Sequence, residues 1–233
     1  MGRLTRDELL TAGLGKMGNL SSALNTRIAT EFQAWLDRQY AGWSWPFLKK
    51  RASGISLSQG ATSLTVGAGN GGITREIIKL ISPLGYYTSN KSTIGKAPIV
   101  QSSNSASTFW DETLSNSSTF IGSPTQFKAR HGSVRGSWDL IALPFPDQAL
   151  LLAIDYYELP ALLTGADVPI YPADATMIEA INALALVDQK GMDHPATQTA
   201  MEEAGAKIAR DRSTYGSVPG ENDMLLLDSS VFR

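Results

Sequence analysis

The sequence predicts an α+β protein in which helices at both ends bracket a β-rich middle. Three observations carry this. Apolar residues recur at three- and four-residue steps near both ends of the chain. Between Ser53 and Tyr157 the texture changes to Ser, Thr, Gly and Asn, with apolar and polar residues tending to alternate. After Arg212 a polar, Gly- and Pro-bearing stretch leads to a short apolar tail. The expected boundaries are residues 1–50 for N-terminal helices, 51–157 for a β-rich insertion, 158–212 for C-terminal helices and 213–233 for a tail.

The first helix starts at a capping box, Thr5-Arg6-Asp7-Glu8, with Thr5 at the cap and Glu8 reaching back. Leu9, Leu10 and Leu14 give it an apolar side, and the stretch Gly13 to Gly18 is expected to break it. A longer helix begins near Ser21 or Ser22. Its stripe is Leu24, Ile28, Phe32, Trp35 and Leu36, and it should end near Gly42 because Pro46 disfavours helix at Trp45. The aromatic knot Trp43-Ser44-Trp45-Pro46-Phe47 reads, with Trp35, as core where a helix hands over to a sheet; its competing reading is a ligand platform.

Ile55–Ser58, Ser63–Val66, Ile77–Ile81, Ile99–Gln101, Gln126–Ala129, Trp138–Leu143 and Leu150–Tyr156 are the candidate strands. The Ser-rich run from Ser102 to Thr119 is punctuated by Phe109, Trp110 and Leu114, which predicts an ordered loop beside strands. Pro172 and Asp174 then announce a helix with Met177, Ile178, Ile181, Leu184 and Ala185 on one stripe, stopped by Gly191. Asp193-His194-Pro195 opens the last helix. Met201, Ala204 and Ile208 are expected inside, Glu202, Glu203, Lys207 and Arg210 outside, with a Glu203–Lys207 ion pair.

Charge is nearly balanced, 20 basic against 22 acidic residues, which argues against a dedicated nucleic-acid binder. The cluster Lys49-Lys50-Arg51 reads as a solvated helix end. The chain has no cysteine, so disulfides, thiolate nucleophiles and Cys-based zinc sites drop out together. The apolar run Ala149–Ile154 is too short to span a bilayer, and the charged start Met1–Glu8 lacks a signal peptide's apolar segment. These features predict a chain used in the cytosol or built into something assembled there.

One motif invites a cofactor. Gly67, Gly69 and Gly72 fit G-x-G-x-x-G, and Ile73–Ile81 could be the helix that follows, as in dinucleotide-binding enzymes and adenosylmethionine-dependent methyltransferases. Against it, Thr65 stands where those methyltransferases carry an acid, the preceding strand alternates in polarity, and no acid follows near Tyr87–Ser92. A glycine-rich hairpin tip is the preferred reading, and no cofactor is assigned. His131 in a turn and His194 at a helix start read as structural. Asp111-Glu112 and Glu202-Glu203 are adjacent pairs that point different ways, and no elbow serine, zinc-helix or phosphate-loop lysine pattern occurs. The expectation is a non-enzyme without catalytic or metal residues.

Several landmarks come in a recognisable order. A helix with Ile28, Phe32, Trp35 and Leu36 runs into Trp43-Ser44-Trp45-Pro46-Phe47-Leu48. A variable β-rich region follows, then Leu140–Asp147 with its Leu-Pro-Phe-Pro, Asp155–Thr164 with Tyr156 and Pro160, and Asp167-Val168-Pro169-Ile170-Tyr171-Pro172 ahead of two helices. This order resembles the head-to-tail adaptor, or head-completion, proteins of tailed bacteriophages, over most of residues 20–212. The resemblance implies that the terminal helices form one helical bundle with the β-rich domain inserted into it. It implies a homo-oligomeric ring of about twelve copies in the virion neck, closed by head-to-tail contacts. Its partners would be the portal protein and a tail, nozzle or tail-completion protein. DNA would pass through the channel without sequence-specific binding, and no membrane is involved. The tail would be an extended C-terminal arm docking on portal, with Met224, Leu225, Leu226, Leu227, Val231 and Phe232 as its anchors. A tail-tip or baseplate β-protein, whose β-domain makes the ring contacts, is a further expectation to test.

Overall fold

The computed structural model describes residues 3–17, 21–101, 121–215 and 225–227. It has helices at both ends of the chain, a central β-rich region, and contacts between the N- and C-terminal helices. The chain divides into two compact units. One joins residues 1–47 with 160–217, and the other joins 48–159 with 218–233.

In the first unit α1 spans Arg6–Leu14 and α2 spans Ser22–Gly42. The capping box forms: the Thr5 hydroxyl accepts from the Glu8 amide, and the Glu8 carboxylate accepts from the Thr5 amide at 2.7 Å. The Thr5 amide and, at 2.9 Å, the Thr5 hydroxyl both donate to the Glu8 carboxylate, which holds that carboxyl below the usual range. The helix ends within the expected stretch Gly13 to Gly18. Gly13 lies inside α1, where an added Cβ would stand 2.6 Å from Ile181, so the missing side chain is what lets α1 approach the helix beyond. The helix gives way at Gly15–Met17 to a short 3-10 turn.

α3 spans Asp174–Lys190 and α4 spans Pro195–Tyr215. Both α1 and α2 pack on α3. Gly191 caps α3 at φ 83°, its amide donating to the Val187 carbonyl. The inner stripe of α4 departs from the expected one. Thr197, Ala200, Ala204 and Asp211 are buried, whereas Met201 is exposed. Small residues win the inner positions because Ala183 of α3 meets Ala200 and Ala204 closely. Lys207 pairs across to Glu179 of α3 at 2.9 Å instead of along its own helix to Glu203.

Among the described residues, the second unit holds eleven strands in two main sheets and one small pair. β1 (Lys49–Leu57), β10 (Leu150–Glu158), β3 (Ile77–Tyr87) and β11 (Leu225–Leu227) lie in that order, with β4 (Ile94–Ala97) also on β3. The other sheet runs β2 (Leu64–Val66), β8 (Trp138–Leu143), β7 (Gln126–His131), β5 (Ile99–Gln101). β6 (Ile121–Gly122) and β9 (Phe145–Pro146) pair in parallel. Inward residues of both main sheets form one core, among them Leu57, Leu80, Leu84, Leu152 and Ile154 from the first and Val66, Phe127, Trp138 and Leu140 from the second. The Trp138 indole N–H reaches the Ile77 carbonyl, tying the sheets by a polar contact inside apolar packing.

Every candidate strand forms. Lys49-Lys50-Arg51 corrects the reading of a helix end: these residues open β1, exposed, and Arg51 makes a forked pair with Asp155 of β10 at 2.6 and 2.9 Å. The expectation of an ordered loop over 102–119 lies outside the described residues.

Candidate functional site

The glycine segment 67–72 is a closed turn. The Gly67 and Asn70 amides donate to each other's carbonyls at 3.0 Å, the Ala68 amide donates to the Arg75 carbonyl and the Gly69 amide to the Ile73 carbonyl. Four successive N–H groups are thus spent inside the loop, where a phosphate-binding loop would leave them facing a ligand. The chain continues into strand β3 and not into a helix, so no helix N-terminus stands behind the glycines. Gly67, at φ 87°, is needed for a different reason: a Cβ there would lie 2.5 Å from the Gly136 carbonyl. Gly67 serves the close packing of two turns, and Gly69 and Gly72, at φ 93° and 74°, serve the turn's own left-handed backbone.

The aromatic knot sits in the first unit. Trp45 is fully buried, stacked on Phe47 at 5.5 Å and edge-on to Tyr171 at 5.3 Å. Trp35 meets Tyr171 at 5.7 Å and Phe32 at 5.9 Å. Trp43 and Phe47 are half-buried, and the Arg212 guanidinium lies over the Trp43 ring at 5.5 Å. Tyr171 is the centre that periodicity did not single out. Its amide donates to the Tyr40 hydroxyl at 3.1 Å, and its own hydroxyl donates to Asp211 at 3.0 Å. Burial and the Asp211 charge push the Tyr171 hydroxyl far up, and burial pushes Tyr40 up to about 12. Both stay neutral donors and acceptors at ordinary pH. A carboxylate on the inner stripe of α4, at Asp211, was the available sequence signal for this network.

His194 caps α4, its Nδ1 accepting from the Ala196 amide at 3.2 Å. His131 packs its ring on Trp138 at 4.3 Å. Among the described residues no three metal-type ligands gather, and no described helix is long and apolar enough to cross a membrane.

The C-terminal anchors divide. Met224, Val231 and Phe232 lie outside the described residues. Leu225, Leu226 and Leu227 form β11, antiparallel to β3, opposite Ile81, Leu80 and Lys79. These three leucines thus have a strand partner within their own chain. The signal was present on the acceptor side. Residues Ile77–Ile81 have both faces buried, with Ile78, Lys79, Leu80 and Ile81 at 1%, 3%, 0% and 3% exposure, and such a run needs neighbours on both edges. β10 supplies one edge along the strand, β4 the other only over Leu84–Tyr87, and β11 the other over Lys79–Ile81. Lys79 is the one charged residue in β3. Burial lowers its ammonium to about 8, and it lies over the Tyr157 ring at 5.8 Å.

The chain matches no protein-family model and no curated protein sequence.

Proposed function

We propose that this chain is a structural virion protein, a head-to-tail adaptor. Copies of it form a ring between portal and tail, leave a central channel for DNA, and dock on portal through the C-terminal arm. The observation that carries the reading is the division of the chain: residues 1–47 and 160–217 make one helical unit that a β unit interrupts in sequence, the division that the resemblance implies. The order of landmarks from Ile28 to Pro172 supports it. On this reading the chain catalyses nothing and takes no cofactor.

The test removes residues 216–233, beyond the last turn of α4, and measures binding of the truncated and full chains to purified portal rings. The expected outcome is a folded chain, with unchanged helical circular dichroism, that no longer binds. Full binding by the truncated chain overturns the docking role of the arm.

A further inference from the structure

The edge of β3 at Lys79–Ile81 is a slot with defined ends. Beyond Ile81, Pro83 has no N–H to offer a ladder, the Ser82 hydroxyl already accepts from the Ile99 amide at 3.0 Å, and β4 takes over from Leu84. At the other end the β3–β10 register slips between Tyr157 and Glu158, so that Ile78 is an extra residue. The slot therefore takes a strand of about three residues, and β11 fills it with three. Lys79 guards it: lysine on an edge strand is how natural sheets discourage indiscriminate pairing, which suits an edge that is bare at some stage.

We propose that this slot is a strand-exchange site between copies of this chain, Leu225–Leu227 of one copy pairing with Lys79–Ile81 of the next. Every copy carries both donor and acceptor, so pairing within a chain and between chains makes the same backbone hydrogen bonds. The donor is short, and nine residues separate it from the end of α4, Gly216, Pro219 and Gly220 among them. Fully extended, a link of that length spans roughly 30 Å. Donor and acceptor are different surfaces, so exchange closes either reciprocally between two copies or head to tail around a ring, and on the ring reading it is the second. The inference rests on the ring reading and divides the arm between two tasks: Leu225–Leu227 joins neighbours, and residues 228–233 are left for portal.

The chain has no cysteine, so engineered thiols report without background. Ile81→Cys and Leu225→Cys place thiols at directly opposed positions. The two single variants are mixed at about 1 mM, the effective concentration a short link provides within one chain, then oxidised with copper phenanthroline and run on a denaturing gel. Exchange predicts that roughly half of the material runs as a mixed dimer, against a trace for either variant alone. It also predicts that the double variant gives a ladder of covalent multimers. Lys79→Cys with Leu227→Cys repeats the measurement if Ile81→Cys lowers the folded fraction. Disulfides only within chains at every concentration, or none at all, overturn the exchange. Electron micrographs of the same samples separate the two failures: rings without intermolecular disulfides sink the exchange alone, whereas neither rings nor intermolecular disulfides sinks the ring reading with it.

Discussion

The chain closes on itself twice, in contrasting ways. In the helical unit, Tyr171 from the second half locks onto Trp35, Tyr40 and Trp45 from the first through ring packing and one hydrogen bond, and Asp211 accepts a further bond from the Tyr171 hydroxyl, all in buried surroundings. In the β unit, the last described residues close a sheet edge through three opposed pairs. The first closure buries large side chains and satisfies polar atoms away from water, so opening it costs apolar burial and unpaired donors together. The second is a backbone ladder of minimal length, the kind of element that opens locally far below the global unfolding free energy. One closure specifies the fold; the other can be undone while the fold persists.

Three substitutions separate the closures. The largest effect belongs to Trp45→Ala. It removes a fully buried indole and the donor to the Gln39 carbonyl. Urea denaturation should show a loss of about 3–5 kcal/mol, and a loss under 1 kcal/mol would break the claim that this knot organises the unit. Next comes Lys79→Met, a gain. Because the folded state holds this ammonium at about 8 instead of the usual 10.5, the unfolded chain binds the proton more tightly. Stability of the native sequence therefore rises with pH between about 8 and 10.5, and the full penalty stands below 8. At pH 7 the methionine variant should gain roughly 1–3 kcal/mol and lose that rise. It should also self-associate more readily, having lost its edge guard. A flat pH profile for both proteins between 8 and 10.5 would show that Lys79 is solvated. The smallest global effect is expected from Leu226→Pro, which removes an N–H and the strand conformation from β11. Global stability should fall by less than about 1 kcal/mol, while amide exchange at Lys79–Ile81 speeds up at least tenfold. Unchanged exchange there would mean that β11 does not protect the edge.

Much of this architecture was legible in local chemistry. Period-two alternation marked Ile55–Ser58 and Ser63–Val66, apolar runs between Gly- and Ser-rich pieces marked the other five expected strands, and Thr5, Pro46 and Gly191 marked helix ends by the conformations they favour. What escaped was set by partners distant in sequence. Met201 looks like core on its own helix, but Ala183 of α3 demands small residues opposite and turns it outward. Lys207 has Glu203 one turn away and takes Glu179 from α3 instead. Gly13 carries no sign in the sequence that Ile181 of α3 needs its space. β4 is half-exposed and has too short a pattern to announce itself. The glycine loop was legible through what it lacks, an acid at Thr65, and its hydrogen bonds supply the physical reason. The edge of β3 could be read only in outline, because a strand apolar on both faces calls for two neighbours without naming them.

The interruption of the helical unit has a consequence on the ribosome. Phe32, Trp35 and Trp45 emerge early, but Tyr171 and Asp211, which complete their surroundings, lie beyond the whole β insertion. At roughly 5–20 residues per second, the nascent α2 waits on the order of ten seconds with those rings uncovered. The β unit, whose first ten strands are contiguous in sequence, can finish sooner. Synthesis thus favours an inside-out order. The insertion folds first as a tethered body, the helices then gather from both sides, and the leucine strand, made last, is the final piece to find its place.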